Sequence, residues 1–557
     1  MEVVTPSGFR DVLTDEASKR ERVLRNVQDG FAARGYELIE TPTLEHARVM
    51  QMGARMELSS FKFFDGNGAL VTMRPDVTLQ VARMCATRLK GRPGPFRFRY
   101  SQRIFRETGG ISSAAERERT QVGVECIGES GPQADAEVIE LFARSLEASG
   151  VVDFSISLAT VSVLRSMLAN SRAPRLWIDR VLEAFHSSDF VAIEQLTAFP
   201  DPYEVAPVFA RAIGSLASIR GGREAIDEVR ELAEPLGCSD GLDDLQETFD
   251  LLVEAGFGAR LVVDFSVMSA FDYYTGAVFE AFCPSLGSSL GGGGRYDDLL
   301  AVYGDSRPAA GFAFFLEDAL SASVPSASGG RPLRIAVPKG SLYEESVAAL
   351  AEAGLDVTGL DDPGRALIVK NPGVEYIIVR PTDAPVFVEL GAADCGICGA
   401  DSLIESEASV VKLADLRFGS CRFVVAQLAG SEEALAARYR RHGSLRVATK
   451  YPSIAAAHFA RAGTQVEIVK LHGNIELGPL TGLSECIVDI TATGATLKEN
   501  NLVVTDEVLS STARFFANDG AFRTDGRVRG LAADLSRVAC ARELGVTAGS
   551  TDVRKGE

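Results

Sequence analysis

No stretch of this chain is apolar for long enough to span a bilayer, although 46% of its 557 residues are hydrophobic. The opening residues, Met1-Glu2-Val3-Val4-Thr5-Pro6, place no basic segment ahead of an apolar one, so they do not read as a secretory signal. A basic surface is also missing. Lys and Arg number 57 against 76 Asp and Glu, a net charge of −19. That balance argues against a broad nucleic-acid face, which needs clustered cations, but leaves room for a local pocket for a small anion. Histidine is scarce, five in all, and none stands in a metal-ligand spacing, so no protein metal site is expected. The nine cysteines form no disulfide framework and are expected to be free thiols in a reducing cytoplasm. Cys395-Gly396-Ile397-Cys398 has a redox or zinc spacing, but no second pair accompanies it. It reads as a short buried strand, in which cysteine acts as a small hydrophobe.

A chain this long suits roughly two to four domains. The clearest boundary is Ser321-Ala322-Ser323-Val324-Pro325-Ser326-Ala327-Ser328-Gly329-Gly330-Arg331-Pro332, rich in small residues and proline, with the apolar run Leu333-Arg334-Ile335-Ala336-Val337 directly after it. We therefore expect domains over 1–320 and 333–557, joined by a linker over 321–332. The first begins with a helix presenting Val23, Leu24, Val27 and Phe31 on one face and stopping near Gly35. Strand runs such as 96–100 and 122–127 then bunch together, which suggests an α+β domain with a mainly antiparallel sheet, and 195–255 reads as mostly helical. Beyond 333 the pattern alternates. Strands are expected at 333–337, 374–380, 394–398, 422–427, 445–449, 465–470 and 485–490, with helices at 342–353 and 453–462, an α/β pattern with parallel sheets.

The strongest local signal is Glu485-Cys486-Ile487-Val488-Asp489-Ile490-Thr491-Ala492-Thr493-Gly494-Ala495-Thr496. A buried strand ends near an acid, and a loop of small and hydroxylated residues leads into a helix. Such a loop lets backbone N–H groups close around a phosphate, while Asp489 can accept from ribose hydroxyls. An ordinary strand-to-helix turn capped by threonine is the competing reading. Val337-Pro338-Lys339-Gly340-Ser341, Arg380-Pro381-Thr382-Asp383-Ala384-Pro385 and Leu471-His472-Gly473-Asn474-Ile475-Glu476 each follow a strand. They put both charge signs at strand C-terminal ends, where α/β ligand sites lie.

In that order, with Gly391-Ala392-Ala393-Asp394 to Asp401, Ala448-Thr449-Lys450-Tyr451-Pro452 and Glu476-Leu477-Gly478-Pro479, these motifs resemble the ATP phosphoribosyltransferases over residues 332–530. The resemblance implies a two-lobed fold like that of periplasmic binding proteins. It is to the short form, because no room remains for a further regulatory domain. The implied reaction joins ATP to 5-phosphoribosyl-1-pyrophosphate, with adenine N1 attacking the anomeric carbon and pyrophosphate leaving with Mg²⁺. It implies that Glu476, Asp489, Thr491, Ala492, Thr493, Gly494, Ala495 and Thr496 hold the phosphoribosyl group, and that Arg365, Arg380 and Lys339 serve as cations. Two departures stand out: Lys339-Gly340-Ser341 where the family has Lys-Gly-Arg, and Gly399-Ala400-Asp401 where it often has Gly-Lys-Asp.

The first 320 residues resemble the catalytic core of histidyl-tRNA synthetase, a class II synthetase pattern with a six- or seven-stranded antiparallel sheet, through Met73-Arg74-Pro75-Asp76-Val77-Thr78, Ile104-Phe105-Arg106, Gln121-Val122-Gly123-Val124-Glu125, Phe271-Asp272-Tyr273-Tyr274-Thr275-Gly276 and Gly292-Gly293-Gly294-Arg295-Tyr296-Asp297. Two arginines that such an enzyme needs are missing: Ser269-Ala270-Phe271 and Phe315-Leu316-Glu317-Asp318 stand in their places, and no anticodon domain follows. Charging of tRNA is therefore not expected. Asp76, Thr78, Arg106, Gln121, Glu125, Tyr273 and Tyr274 remain to hold histidine, as in the synthetase-like regulatory subunit of the short-form enzyme. The chain reads as a fusion of regulatory and catalytic subunits, feedback-inhibited by histidine and expected to form a homo-oligomer. The alternatives are a non-catalytic sensor of nucleotide or histidine, and an aminoacylating enzyme.

Overall fold

The computed structural model describes residues 4–53, 60–107, 116–198, 205–267, 273–323, 331–362, 364–491 and 494–543. The chain divides into two compact units. One comprises 1–331 together with 519–526, and the other 332–518 with 527–557. The reading of the sequence placed 519–526 in the C-terminal domain; by its contacts this stretch belongs to the first unit. Ser321 and Ala322, expected to open a linker, instead close the helix Leu316–Ala322, and 324–330 lies outside the described residues. Among the described residues no helix is long and apolar enough to cross a membrane.

The first unit is built on a nine-stranded sheet. In spatial order its strands are Glu37–Leu38, Phe96–Phe105, Glu118–Ile127, Ala309–Phe315, Gly291–Arg295, Ala277–Phe282, Ser155–Thr160, Leu261–Asp264 and Arg220–Gly221. The pairings are antiparallel except at two places, Glu37–Leu38 on Phe96–Phe105 and Ser155–Thr160 on Leu261–Asp264. Alternation along the strands sorts side chains to two faces. Val122, Val124 and Cys126 are buried beneath the helix Pro132–Ala148, whose Phe142 ring meets Phe312 at 5.0 Å and Phe279 at 5.7 Å. Gln121 and Glu125 point the other way, toward a cavity. The opening helix, Thr14–Ala33, buries Val27 and Phe31 of the four residues expected on its inner face. Four further helices occupy Phe190–Ala198, Pro207–Leu216, Glu224–Ala233 and Leu242–Glu254.

The second unit holds two mixed sheets rather than parallel ones. In the six-stranded sheet, Val374–Val379, Leu333–Pro338 and Cys395–Gly399 run parallel at the centre, with antiparallel partners outside them. In the five-stranded sheet, Val466–Lys470, Leu445–Thr449 and Cys486–Thr491 run parallel, followed by the antiparallel Cys421–Leu428 and Leu502–Ser511. The chain passes between sheets twice, after Asp415 and at Thr512. These crossings bond to each other: Leu416 N–H donates to Ala513 O at 2.9 Å, and Ala513 N–H to Phe418 O at 2.9 Å. The Cys395–Cys398 segment is a buried strand, and neither cysteine is in a disulfide.

Candidate functional site

All seven residues expected to form an amino-acid pocket line one cavity of about 160 Å³ in the first unit. The strand Glu118–Ile127 supplies Gln121 and Glu125, and the start of the helix Thr78–Thr87 supplies Thr78. Gln121 ties two elements together: its Nε2 donates to Asp76 Oδ2 at 2.9 Å, and its Oε1 accepts from Val77 N–H at 3.0 Å. Tyr273 and Tyr274 form an aromatic wall with ring centres 4.9 Å apart, and Tyr273 meets Tyr296 edge-on at 5.7 Å. Arg106 is held by Pro75 O at 3.0 Å and lies 5.5 Å from the centre of the Phe315 ring.

Glu125 is the deepest polar group, 1% exposed. It accepts from Thr78 Oγ1 at 2.7 Å, from Tyr100 at 3.2 Å and from the Tyr296 hydroxyl. Burial pushes its carboxyl up to about 8, although the Tyr296 and Thr78 hydroxyls oppose the shift. Glu280, also in the wall, is pushed up to about 7 by burial and the Asp519 carboxyl, against the Arg523 cation. The fold therefore stabilises both as neutral acids. Those contributions are full below pH 4.5 and are lost as pH rises through about 7 and 8. The pocket combines carboxyl groups, one guanidinium and aromatic faces, a set complementary to a small zwitterion with an N–H-bearing ring.

A cationic ligand favours the ionised carboxyls, so binding expels protons. The affinity of such a ligand is expected to rise between pH 6.5 and 8, by up to about tenfold per pH unit for each proton released. Calorimetry with L-histidine as the probe, in buffers of different ionisation enthalpy, will measure that release. Identical heats in the two buffers at pH 7 would remove the carboxyls from the binding event.

The positions of the missing synthetase arginines take different forms. Residues 268–272 lie outside the described residues. Glu317 accepts from Thr120 N–H at 3.0 Å and pairs with Arg20, and Asp318 pairs with Arg119 at 2.5 Å. These acids serve as internal pins in the fold.

In the second unit the register brings three strand ends together. Thr449 stands opposite both Lys470 and Val488, so Lys450, Asp489–Thr491 and the segment leading to Glu476 lie at one end of the three parallel strands. The Asp489 carboxyl is raised by burial, with the Ile490 N–H and Lys450 lowering it and Glu476 raising it. Gly494 adopts φ +74° and donates its N–H to Thr491 Oγ1 at 2.7 Å, closing a turn before the helix Ala495–Glu499. A positive φ there favours glycine. Thr496 is exposed on the first turn; Ala492 and Thr493 lie outside the described residues.

The six-stranded sheet places Lys339 and Arg380 directly after neighbouring parallel strands, with Pro338 opposite Val379. Arg365 precedes the antiparallel edge strand Ile368–Asn371, whose first residue stands opposite Ile377, and so sits at the same sheet end. All three cations are exposed. Ser341 lies in the turn Gly340–Leu342 and is exposed. Tyr296, Glu280, Ser289 and Phe315 also line the amino-acid cavity and were not anticipated. Tyr296 falls within the quoted Gly-Gly-Gly-Arg-Tyr motif, and strand alternation marks Glu280 once the strand is known.

A histidyl-tRNA synthetase sequence profile matches residues 8–319, and an ATP phosphoribosyltransferase profile matches 380–537. An ATP phosphoribosyltransferase regulatory subunit from Moorella thermoacetica is 37% identical over 319 residues, covering 57% of this chain and 81% of its own. An ATP phosphoribosyltransferase from Rubrobacter xylanophilus is 49% identical over 208 residues, covering 37% of this chain and 96% of its own. A crystal structure described as an ATP phosphoribosyltransferase regulatory subunit/histidyl-tRNA synthetase from Bacillus halodurans aligns with TM-score 0.54 and 26% identity, over 68% of this chain and 98% of that one. Fold and site thus define a class II synthetase-like unit with a polar, aromatic-walled cavity, joined in one chain to an α/β unit with charged residues at its strand ends. The chain belongs to the ATP phosphoribosyltransferase family, as a fusion of its regulatory and catalytic subunits.

Proposed function

We propose that this chain transfers the 5-phosphoribosyl group from 5-phosphoribosyl-1-pyrophosphate to N1 of ATP, the first step of histidine biosynthesis, and that its synthetase-like unit senses histidine. The observation that carries the reading is the aligned end of three parallel strands, where Asp489, Lys450, Glu476 and the Thr491–Gly494 turn meet. The 5-phosphate fits the turn, and Asp489 accepts from the ribose hydroxyls. As the bond to pyrophosphate breaks, positive charge grows on the ribose ring and negative charge on the leaving group. Asp489 and Glu476 face the first of these, while Lys339, Arg365 and Arg380 balance the second. They take the share that an arginine at position 341 would otherwise carry. Mg²⁺ enters with the pyrophosphate as part of the substrate. The two sheets act as lobes in the manner of periplasmic binding proteins, closing about their paired crossings. Histidine fits the other cavity with its ammonium at Asp76 and Gln121, its carboxylate at Arg106 and its ring N–H at Glu125.

Purified protein given ATP, 5-phosphoribosyl-1-pyrophosphate and Mg²⁺ is expected to form phosphoribosyl-ATP and pyrophosphate in equal amounts, and to charge no tRNA with histidine. Folded protein that binds ATP yet forms no product would replace the enzyme reading with that of a sensor.

A further inference from the structure

The stretch 519–526 interrupts the second unit: Asn518 before it and Arg527 after it belong there, while the stretch itself belongs to the first. It forms the helix Asp519–Thr524. This helix is seated on the hairpin of Ala277–Phe282 and Gly291–Arg295. Gly520 N–H donates to Gly287 O at 3.1 Å in the hairpin turn. The approach is so close that a Cβ on Gly520 would fall 1.9 Å from the Leu286 carbonyl oxygen. The Phe522 ring meets Phe190 edge-on at 5.4 Å.

Arg523 is 3% exposed. Its Nη1 donates to Asp264 at 2.7 Å and to the Ser266 hydroxyl, and its Nε donates to Asp519 at 3.2 Å. Arg220 pairs with the same Asp264 and donates to the Arg523 carbonyl at 2.5 Å. A buried cation this enclosed fixes its partners, because separating them strands a charge away from water.

The same hairpin forms a wall of the amino-acid cavity, through Glu280, Ser289, Gly291, Gly292 and Gly293. Glu280 stands opposite Gly292, where a Cβ would fall 2.8 Å from Glu280 Cγ. Phe282, two residues along the same strand face, lies 5.7 Å from the Arg523 guanidinium. Glu280 also feels the charges of Asp519, Arg523 and Asp264. One carboxyl in the cavity wall is therefore shared with the helix.

We propose that Arg523 is a positioning residue for the amino-acid cavity: by seating 519–526 on the hairpin turn and facing Glu280, it sets the wall against which a cationic ligand binds. Ligand occupancy and seating of the helix are then coupled, and the coupling is reciprocal. The helix follows the strand Ala513–Ala517 of the second unit through a single residue, Asn518, which gives the coupling a covalent path along the chain. The identity of the ligand rests on the histidine reading above; the coupling does not.

The test uses the full chain, L-histidine as probe, and the variants Arg523→Gln, Arg523→Lys and Gly520→Ala. Arg523→Gln removes the cation, while Gly520→Ala unseats the helix without changing charge. Both are expected to weaken histidine binding about tenfold and to speed amide exchange in 283–293 in the absence of ligand. Arg523→Lys restores most of the affinity, and the double variant Arg523→Gln/Glu280→Gln binds no worse than the weaker single variant. Wild-type affinity and wild-type exchange in folded Arg523→Gln and Gly520→Ala would overturn the proposal. If the unaltered chain binds no histidine but exchange still quickens in both variants, the histidine reading fails and the positioning role stands.

Discussion

Replacing Asp489 by asparagine is expected to lower turnover by about two to three orders of magnitude, with a much smaller change in the KM for ATP. Asp489 lies near the end of Cys486–Thr491, the central strand of the five-stranded sheet. Its carboxylate already sits in a contested field, raised by burial and by Glu476, and lowered by Lys450. Asparagine keeps the shape but removes the charge. It turns half of an acceptor-only group into a donor, so one ribose hydroxyl loses its partner and the positive charge growing on the ring loses its counter-charge. The loss belongs to the transition state and should appear in kcat. Steady-state kinetics of the folded variant measure it. A rate within threefold of the unaltered chain would move the ribose site away from this strand end.

The second large effect is expected at Glu125. Glu125→Gln should raise the histidine concentration needed for half-inhibition about 100-fold, since a buried site built to pair with a ligand N–H discriminates strongly when its acceptor changes. Three hydroxyls surround this carboxyl, from Thr78, Tyr100 and Tyr296, and glutamine can keep bonds to them. What it loses is ionisation. The same variant should therefore be more stable than the parent above pH 8, where the parent must hold a buried carboxylate, and should gain nothing below pH 4.5, where both side chains are neutral. Urea titrations at the two pH values separate the effects. Undiminished histidine inhibition in a folded variant would leave this cavity without a sensing role.

Much of this was legible in the sequence, and particular residues show why. The runs at 445–449 and 485–490 are dense in β-branched and apolar residues, and each ends at a turn that carries its chemistry. Their expected bounds differ from the structure by at most one residue. Gln121 and Glu125 are set in one strand at a spacing that puts both on one face, so their convergence follows from alternation alone. The two-residue strands Glu37–Leu38 and Arg220–Gly221 exist only because a longer neighbour offers an edge, and no local pattern marks them. The outer antiparallel strands of the second unit were hidden for a related reason: direction is set by which sheet the chain re-enters, as at Thr512. The path of 519–526 was the least legible. Asp-Gly-Ala-Phe-Arg-Thr reads as an ordinary amphipathic turn, and its partners Asp264, Phe190 and Leu286 lie more than 230 residues away. Nothing local marks Glu280 as a cavity residue, because the space beside it is left by the glycine row Gly291–Gly294 of the neighbouring strand.

The most direct test of a single chain that both catalyses and senses is a histidine titration of phosphoribosyl-ATP formation by the purified full-length protein. Product formation that falls with histidine, in the concentration range where calorimetry shows the amino acid binding, is the predicted result. Turnover unaffected by saturating, demonstrably bound histidine would contradict it, and would leave the synthetase-like unit as a support for catalysis rather than its regulator.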